Sequence, residues 1–559
     1  MVSGLKRLWH SEQDLRGAAS LLVITMLLSN ILGFLRDLIL ANAIPLHILD
    51  TYYAAFRIPD FLFNLFILGA ISSAFIPIFL DIKTKENDKA AWELSNNLIT
   101  TSLIFLGILC VGLYIFMPNL LHFFVPGFST TDTLQAESGY IISSYAMTVK
   151  LARILLFSPI FFAISYVFGG MLNANKRFFS YALAPLVYNA SIIVGGLLAP
   201  GFTVTIVAWM VVVGALLHAL VQLPALRKLG YKYHFVLNLK DASLRRIIRL
   251  MIPRSLSLGM SQIILLAFTR IGSLLPAGAI SIYNLTNNFQ TTPTAIFAAS
   301  IGTAVFPMLG AAVSEKDNEK YKSLLTHALK GMFFFMIPSM ILLWILRAHI
   351  IRLYLALNHQ TWEDTIRAIN TFSWFILALA SQGFNLIMIR AFYAHQDTKR
   401  PMYVSLFSGA VAVILAWILA NRIGDVWALS MAFALAAILE SLILFTLFQS
   451  TYRKQLNLRS LLDTITMTLL ISLASGLVAR VTLSIVSDGV FVGTPGLGTT
   501  RIIPLFINLL SAALTGGLTY LAISLLLKRE ELQWITPKRA VKNIPLPSSE
   551  DTAQNEGLA

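Results

Sequence analysis

Charge is what this chain has least of. Asp, Glu, Lys and Arg make up 12% of its 559 residues, about half the share in an ordinary soluble domain. Cysteine is almost missing: Cys110 stands alone, which excludes an internal disulfide. No Cys/His cluster, catalytic triad or phosphate-binding glycine loop occurs, so nothing points to a metal, a cofactor or covalent chemistry. The chain is therefore not expected to be an enzyme.

Apolar sequence is what fills the space. Hydrophobic residues reach 57% and mean hydropathy is +0.74. The apolar runs are continuous rather than alternating, which selects membrane helices over a closed barrel. At roughly 20 residues per crossing, about fourteen spans are expected, near 19–43, 52–80, 96–118, 140–173, 179–199, 203–225, 243–274, 279–311, 323–347, 365–394, 402–420, 425–449, 460–486 and 502–527. The fold class read from this pattern is all-α and polytopic.

The formal net charge of +15 would suit nucleic acid, but the basic residues sit in loops beside spans, where membrane topology places them. One set of connections holds Lys6, Arg7 and Arg16, Lys83, Lys85 and Lys89, Lys176 and Arg177, the run from Arg227 to Arg249, Lys316, Lys320 and Lys322, Lys399 and Arg400, Arg453, Lys454 and Arg459, and the tail with Lys528, Arg529, Lys538, Arg539 and Lys542. The alternate connections hold only Arg347, Arg352, Arg367, Arg422, Arg480 and Arg501. This alternation expects both termini in the cytoplasm. Outer loops are too short for an external domain, and the polar tail 529–559 has a disordered composition. The amphipathic segment Met1–Arg16 lacks the features of a cleavable signal.

Spans two and eight match when shifted by 230 positions: Tyr53 with Tyr283, Ile71 with Ile301, Ala74 with Ala304 and Pro77 with Pro307. Both follow a loop without basic residues, so they run in one direction. Two parallel six-helix lobes are expected, 1–228 and 229–450, followed by an extra helix pair, 451–528, and the tail. Such repeats place a transport site between the halves.

An ionisable side chain inside the bilayer is a functional hypothesis by default. Arg36, Arg57, Lys150, Arg153 and Arg270 fall toward the outer half and are expected to line one anion-attracting cavity; Arg254, Lys330 and Arg390 lie where they can snorkel. Helical spacing sharpens the choice. Asn30, Gly33 and Asp37 share a face of span one beside Arg36; Tyr53, Arg57, Asp60 and Asn64 form a stripe on span two; Asn284, Asn287, Asn288 and Thr291 form another on span eight. Asp60 is placed to pair with Arg57, and Asp37 with Arg36 or Arg57. Glu440, mid-span without a nearby partner in sequence, is a candidate for ion coupling. His218 reads as a packed, hydrogen-bonded residue. Prolines 59, 77, 159, 185, 253, 293, 307 and 338 permit bends.

Several segments resemble one family: Ser29-Asn-Ile-Leu-Gly-Phe-Leu-Arg-Asp37, Asp50-Thr-Tyr-Tyr-Ala-Ala-Phe-Arg-Ile-Pro-Asp60, Gly69-Ala-Ile-Ser-Ser-Ala-Phe-Ile-Pro77, Leu172-Asn-Ala-Asn-Lys-Arg-Phe178 and Ala391-Phe-Tyr-Ala-His-Gln-Asp-Thr-Lys-Arg-Pro401. They are similar to the MurJ/MviN family, lipid II flippases of peptidoglycan synthesis in the multidrug/oligosaccharidyl-lipid/polysaccharide exporter superfamily. The resemblance runs from about 19 to 528. It implies a central cationic cavity between two six-helix lobes, and a groove in the last two spans for a lipid tail. It also implies a bacterial cytoplasmic membrane location. The chain departs from the family pattern with Asn30 in span one, Phe63 and Leu68 where span two usually carries Arg and Glu, and Asn287 and Asn288 where span eight usually carries an Asp-Arg pair.

The expected function is alternating-access flipping of a lipid-linked diphosphate glycan of undecaprenyl type, lipid II first. Arginine suits it because its planar fork grips phosphate oxygens in pairs. The cavity set expected to bind substrate is Arg36, Asp37, Arg57, Asp60, Asn30, Asn284, Asn287, Asn288 and Arg270. Two rival readings stay open: a cation-coupled drug or metabolite exporter, or exporter of another lipid-linked glycan, on the same scaffold; and a non-transporting membrane scaffold. Membrane lipids are partners in all of them.

Overall fold

The computed structural model describes residues 15–68, 74–128, 133–135, 141–355, 361–452, 456–490 and 502–534. The segment 1–14, the tail beyond Trp534, part of the 69–77 motif, and Arg453, Lys454 and Arg501 of the charge pattern lie outside the described residues.

Helices occupy every expected span, and the chain is a multi-pass membrane protein. Twelve helices among the described residues are long and apolar enough to cross a bilayer. The longest, Asn318–Leu355, has 38 residues, about 57 Å at 1.5 Å per residue, so it overreaches a hydrocarbon core of about 30 Å. Loop-side caps set several starts. Asn87 accepts from the Ala90 backbone at 2.9 Å, Ser143 from Ala146 at 3.2 Å and Asp241 from Leu244 at 2.9 Å.

Span four begins later than the sequence suggests. Ile141–Ser143 is a strand paired antiparallel with Thr133–Gln135, and the helix starts at Ser144. That helix is interrupted after Leu155 and resumes at Phe157.

Spans two and eight break in the same way. Leu46–Leu62 passes into a π-helical stretch, Phe63–Leu68, before Ile76–Lys85. Ala279–Pro293 passes into another, Thr294–Ala299, before Ser300–Ser314. The two irregular stretches sit about 230 positions apart, as the matched residues do, and each follows a proline by a few residues or fewer. Wide turns of this kind shift the helix face and favour kinks and functional sites.

Contacts divide the chain into two compact units. The first comprises Met1–Asn288, Tyr354–Thr371 and Gly409–Phe433; the second comprises Phe289–Leu353, Phe372–Ser408 and Ala434–Ala559. In the first, Phe79, Trp92 and Tyr231 form an aromatic core with ring centres 5.4 and 5.5 Å apart. In the second, Leu458–Val490 and Ile502–Leu526 pack on Asn318–Leu355 through small residues. A β-carbon on Gly516 would lie 2.6 Å from Leu342 and one on Gly476 2.7 Å from Ile345, the close approach that apolar helices need where burial from water supplies no drive.

Candidate functional site

In the first unit, a cavity of about 300 Å³ draws its polar lining, charged, amide and phenolic, from four spans. Span one supplies Arg36 and Asp37, span two Tyr53, Arg57 and Asp60, span five Tyr188, and span eight Asn284, Asn287 and Asn288. The second and eighth spans contribute at intervals of three and four residues, so ordinary helix geometry carries each stripe to one wall.

The groups hold one another in a definite order. Arg36 binds Asp37 through Nε at 2.8 Å and Nη2 at 2.7 Å, and its Nη1 donates to Asn189 at 3.1 Å. The second Asp37 oxygen accepts from the Asn288 amide at 2.7 Å. Arg57 is only 7% exposed. Its Nε donates to Thr269 at 2.8 Å and its Nη2 to Asn284 at 2.5 Å. No carboxylate lies within ion-pair distance of Arg57 among the described residues. Asp60 lines the same cavity without pairing with Arg57, despite the favourable spacing, because the guanidinium turns toward spans seven and eight. The Tyr53 hydroxyl is buried without a hydrogen-bond partner among the described residues.

Two arginines and two aspartates thus share the chamber, but unevenly. Arg36 is neutralised by Asp37. Arg57 is held by a hydroxyl and an amide carbonyl, neither of which cancels its charge. Asp60 lines the same cavity without touching it, so Arg57 is the chamber arginine with no carboxylate in contact among the described residues, open to an incoming anion.

Several predicted residues lie elsewhere. Asn30 is exposed on span one and does not line the cavity. Arg270 lies 4.5 Å over the Phe123 ring and donates to the Phe123 carbonyl. Arg153 lies 4.6 Å over Tyr114 and donates to its carbonyl at 3.1 Å. Both are cation–π contacts toward the carboxyl-terminal end of helix Asp88–Phe124. Lys150 is exposed. Phe63 packs on Phe162 and Tyr166 at 5.0 and 5.4 Å, which makes its position part of a dry core. In the second unit, Glu440 accepts from Ser405 at 2.6 Å and Asn385 at 3.2 Å, partners from two other spans. His218 meets Ser165 at 2.5 Å and is packed, as its sequence context indicates.

Sequence reasoning missed Tyr188, Asn189 and Thr269, single polar residues on otherwise apolar faces. It also gave Asp50 no role. That carboxylate, 4% exposed, accepts from the backbone N–H of Gly278 and of Ser281, both at 2.7 Å, and so caps the start of span eight. Gly278 has φ +87° and a β-carbon there would approach Leu46 to 3.1 Å, so glycine suits the turn on both counts. Arg367 holds the same turn by donating to Pro276 and Ala277 carbonyls at 3.1 and 2.9 Å while pairing with Asp425 at 2.8 Å.

The model of the family described as lipid II flippase MurJ matches residues 47–494. A lipid II flippase MurJ from Burkholderia cenocepacia is 29% identical over 432 residues, 75% of this chain and 81% of that protein. A probable lipid II flippase MurJ from Bdellovibrio bacteriovorus is 27% identical over 454 residues, 80% and 84% of the two chains. Among solved structures, lipid II flippase MurJ in an inward closed conformation superposes with a TM-score of 0.72 at 24% identity, covering 91% of this chain and 99% of the other. An inward-facing multidrug resistance MATE family transporter gives 0.61 at 15% identity, covering 78% and 99%. These structural likenesses show the fold.

Proposed function

Because the chain belongs to the lipid II flippase MurJ family, we propose that it carries lipid II from the inner to the outer leaflet of a bacterial cytoplasmic membrane. It is a transporter, not an enzyme. The working lobes in this reading are 1–228 and 229–450, with 451–528 receiving the lipid tail and both termini in the cytoplasm. The mechanism is alternating access.

One observation carries the substrate assignment: Arg57, buried and unpaired by any carboxylate among the described residues, faces a polar chamber beside the Arg36–Asp37 pair. A lipid-linked diphosphate brings about two negative charges, by analogy with phosphate groups. Arg57 supplies charge and a planar donor edge, while Asn284, Asn287 and Asn288 offer amides for sugar or peptide groups. A chamber of about 300 Å³ is at the lower end for ligand sites. It accommodates a diphosphate-sized group, so the glycan requires the chamber to widen during transport. An undecaprenyl tail would remain in lipid.

Charge movement supplies a drive, since each elementary charge is worth about 2.3 kcal/mol per 100 mV. Glu440, an intramembrane carboxylate met by a hydroxyl and an amide, is our candidate for ion coupling.

The test is complementation of a cell depleted of its own flippase, with lipid II exposure at the outer leaflet as readout. The wild-type chain restores growth and exposure. Lipid II retained inside despite normal membrane levels of this protein overturns the assignment.

A further inference from the structure

A second, larger cavity lies in the first unit, away from the polar chamber, and its chemistry is different. It has a volume of about 660 Å³ and is walled by apolar side chains of spans three, four and six, among them Leu103, Ile164 and Leu220. Phe161 and Phe168 both line it, seven residues and therefore about 10 Å apart along their helix. Arg227, Lys232 and Tyr233 also line it. Arg227 and Lys232 are exposed, and neither makes an ion pair with a carboxylate among the described residues.

The chain around Lys232 is built into place. Residues 231–238 run without helix or strand along span three. Tyr231 donates to Asn96 at 2.7 Å, and the Asn96 amide meets the Lys232 carbonyl at 3.3 Å and His234 Nδ1 at 2.9 Å. Thr100 meets the Tyr233 hydroxyl at 3.1 Å. Asn97 exchanges two hydrogen bonds with the backbone of Asn238, both 2.9 Å. Three polar residues on one face of a membrane helix thus fasten a strap.

The strap and the turn after it expose four large apolar or aromatic side chains, Tyr233 at 49%, Phe235 at 69%, Leu237 at 47% and Leu239 at 58%, interleaved with exposed Lys232, His234, Asn238 and Lys240. Such a row facing water would be costly. At the boundary between headgroups and acyl chains it is favourable, with nearby basic residues directed to phosphates. The row therefore sets the mouth of the cavity at headgroup depth.

We propose that this cavity is a binding site for one anionic phospholipid, whose phosphate is held by Arg227 and Lys232 and whose acyl chain enters the apolar groove. Two unpaired cations at the end of an apolar groove at headgroup depth complement that amphiphile. The proposal rests on the strap, the groove and their charges, and not on the flippase reading. The bound lipid braces spans three, four and six from outside the transport route.

The test uses purified full-length protein and native mass spectrometry, with phosphatidylglycerol and phosphatidylcholine as the two probes. The wild type retains one phosphatidylglycerol through detergent washing, in preference to phosphatidylcholine. Arg227→Gln with Lys232→Gln lowers that retention at least threefold. Leu220→Trp, which fills the groove and leaves the cations intact, lowers it as well. Unfolding temperature without added lipid checks that each variant is folded, and a failed Leu220→Trp leaves the exposed double variant to decide. Equal retention of the two lipids, or undiminished retention by the double variant, overturns the proposal. So does displacement of phosphatidylglycerol by stoichiometric undecaprenyl phosphate, which would assign the groove to a polyprenyl lipid.

Discussion

The amide of Asn288 donates to Asp37 Oδ2 at 2.7 Å, while Arg36 occupies Oδ1. One carboxylate of span one is thereby shared between its own arginine and span eight. The family pattern usually has an Asp-Arg pair at 287 and 288, and in this chain a neutral donor satisfies Asp37 instead. That exchange removes one charge of each sign, so it leaves the net charge of the chamber as it was and changes which group partners Asp37.

Replacing Asn288 with Asp turns the donor into a second carboxylate against Asp37. Like charges at that distance repel, and the desolvated pair costs several kcal/mol unless one takes up a proton. Asn288→Asp is expected to abolish complementation at normal membrane levels. Asn288→Arg, which keeps a donor toward Asp37 and adds charge, is expected to retain growth. Equal activity of the two variants would show that Asn288 does not meet Asp37 in the working protein.

Arg57 is expected to be the most sensitive single position of the chamber. Arg57→Ala removes the unpaired cation and leaves Thr269 and Asn284 without their donor. Arg57→Lys keeps the charge but loses the planar fork. Outer-leaflet lipid II should fall at least tenfold for Arg57→Ala and less for Arg57→Lys, with protein levels unchanged. Tenfold corresponds to about 1.4 kcal/mol, the scale of one hydrogen bond to a charged group.

Much of the chamber was legible because helical spacing is a rigid ruler. Tyr53, Arg57 and Asp60 at intervals of four and three, and Asn284 with Asn287 and Asn288, had to share faces wherever their helices went. Depth without facing was a poorer guide. Arg153 and Arg270 sit at a depth similar to Arg57 in the sequence, yet their guanidinium groups lie over aromatic rings of span three. Nothing local to either arginine announces that partner. Thr269 and Asn189 were invisible for the opposite reason, since a lone polar residue on an apolar face gains meaning only from the arginine opposite. The helix interruptions near 63–68 and 294–299 follow Pro59 and Pro293, so their neighbourhood was marked, but a proline alone does not distinguish a wide turn from a simple kink.

The turn before span eight should report on stability. Asp50 satisfies two buried backbone N–H groups, and each left bare costs about 1–3 kcal/mol. Asp50→Ala is expected to lower the unfolding temperature in detergent by several degrees. Asp50→Asn should lower it less, because its carbonyl oxygen still accepts one of the two. An unchanged melting curve for Asp50→Ala would show that water replaces the carboxylate.

The second unit offers an independent test at its carboxyl-terminal end. After span fourteen the chain does not leave the bundle at once. Glu530–Trp534 forms a single 3-10 helix, and Glu531, 1% exposed, accepts from Thr464 at 2.8 Å and from Arg529 at 3.1 Å. The Trp534 ring stacks on His327 at 5.2 Å. Its fit depends on the absence of a side chain at Gly331, where a β-carbon would stand 2.5 Å from the indole nitrogen. Gly331→Leu therefore expels the indole while leaving an apolar residue on a membrane helix, which the helix itself tolerates. Losing the ring frees the short helix, and with it the shielding of Arg529, whose side chain is 15% exposed between Asp463 and Glu531. Tryptic cleavage after Arg529 should be at least severalfold faster in Gly331→Leu than in the wild type, with cleavage at the exposed Lys85 unchanged. Glu531→Gln should accelerate the same cut without touching the tryptophan. If neither variant changes the rate, the 3-10 helix is not held where the structure places it.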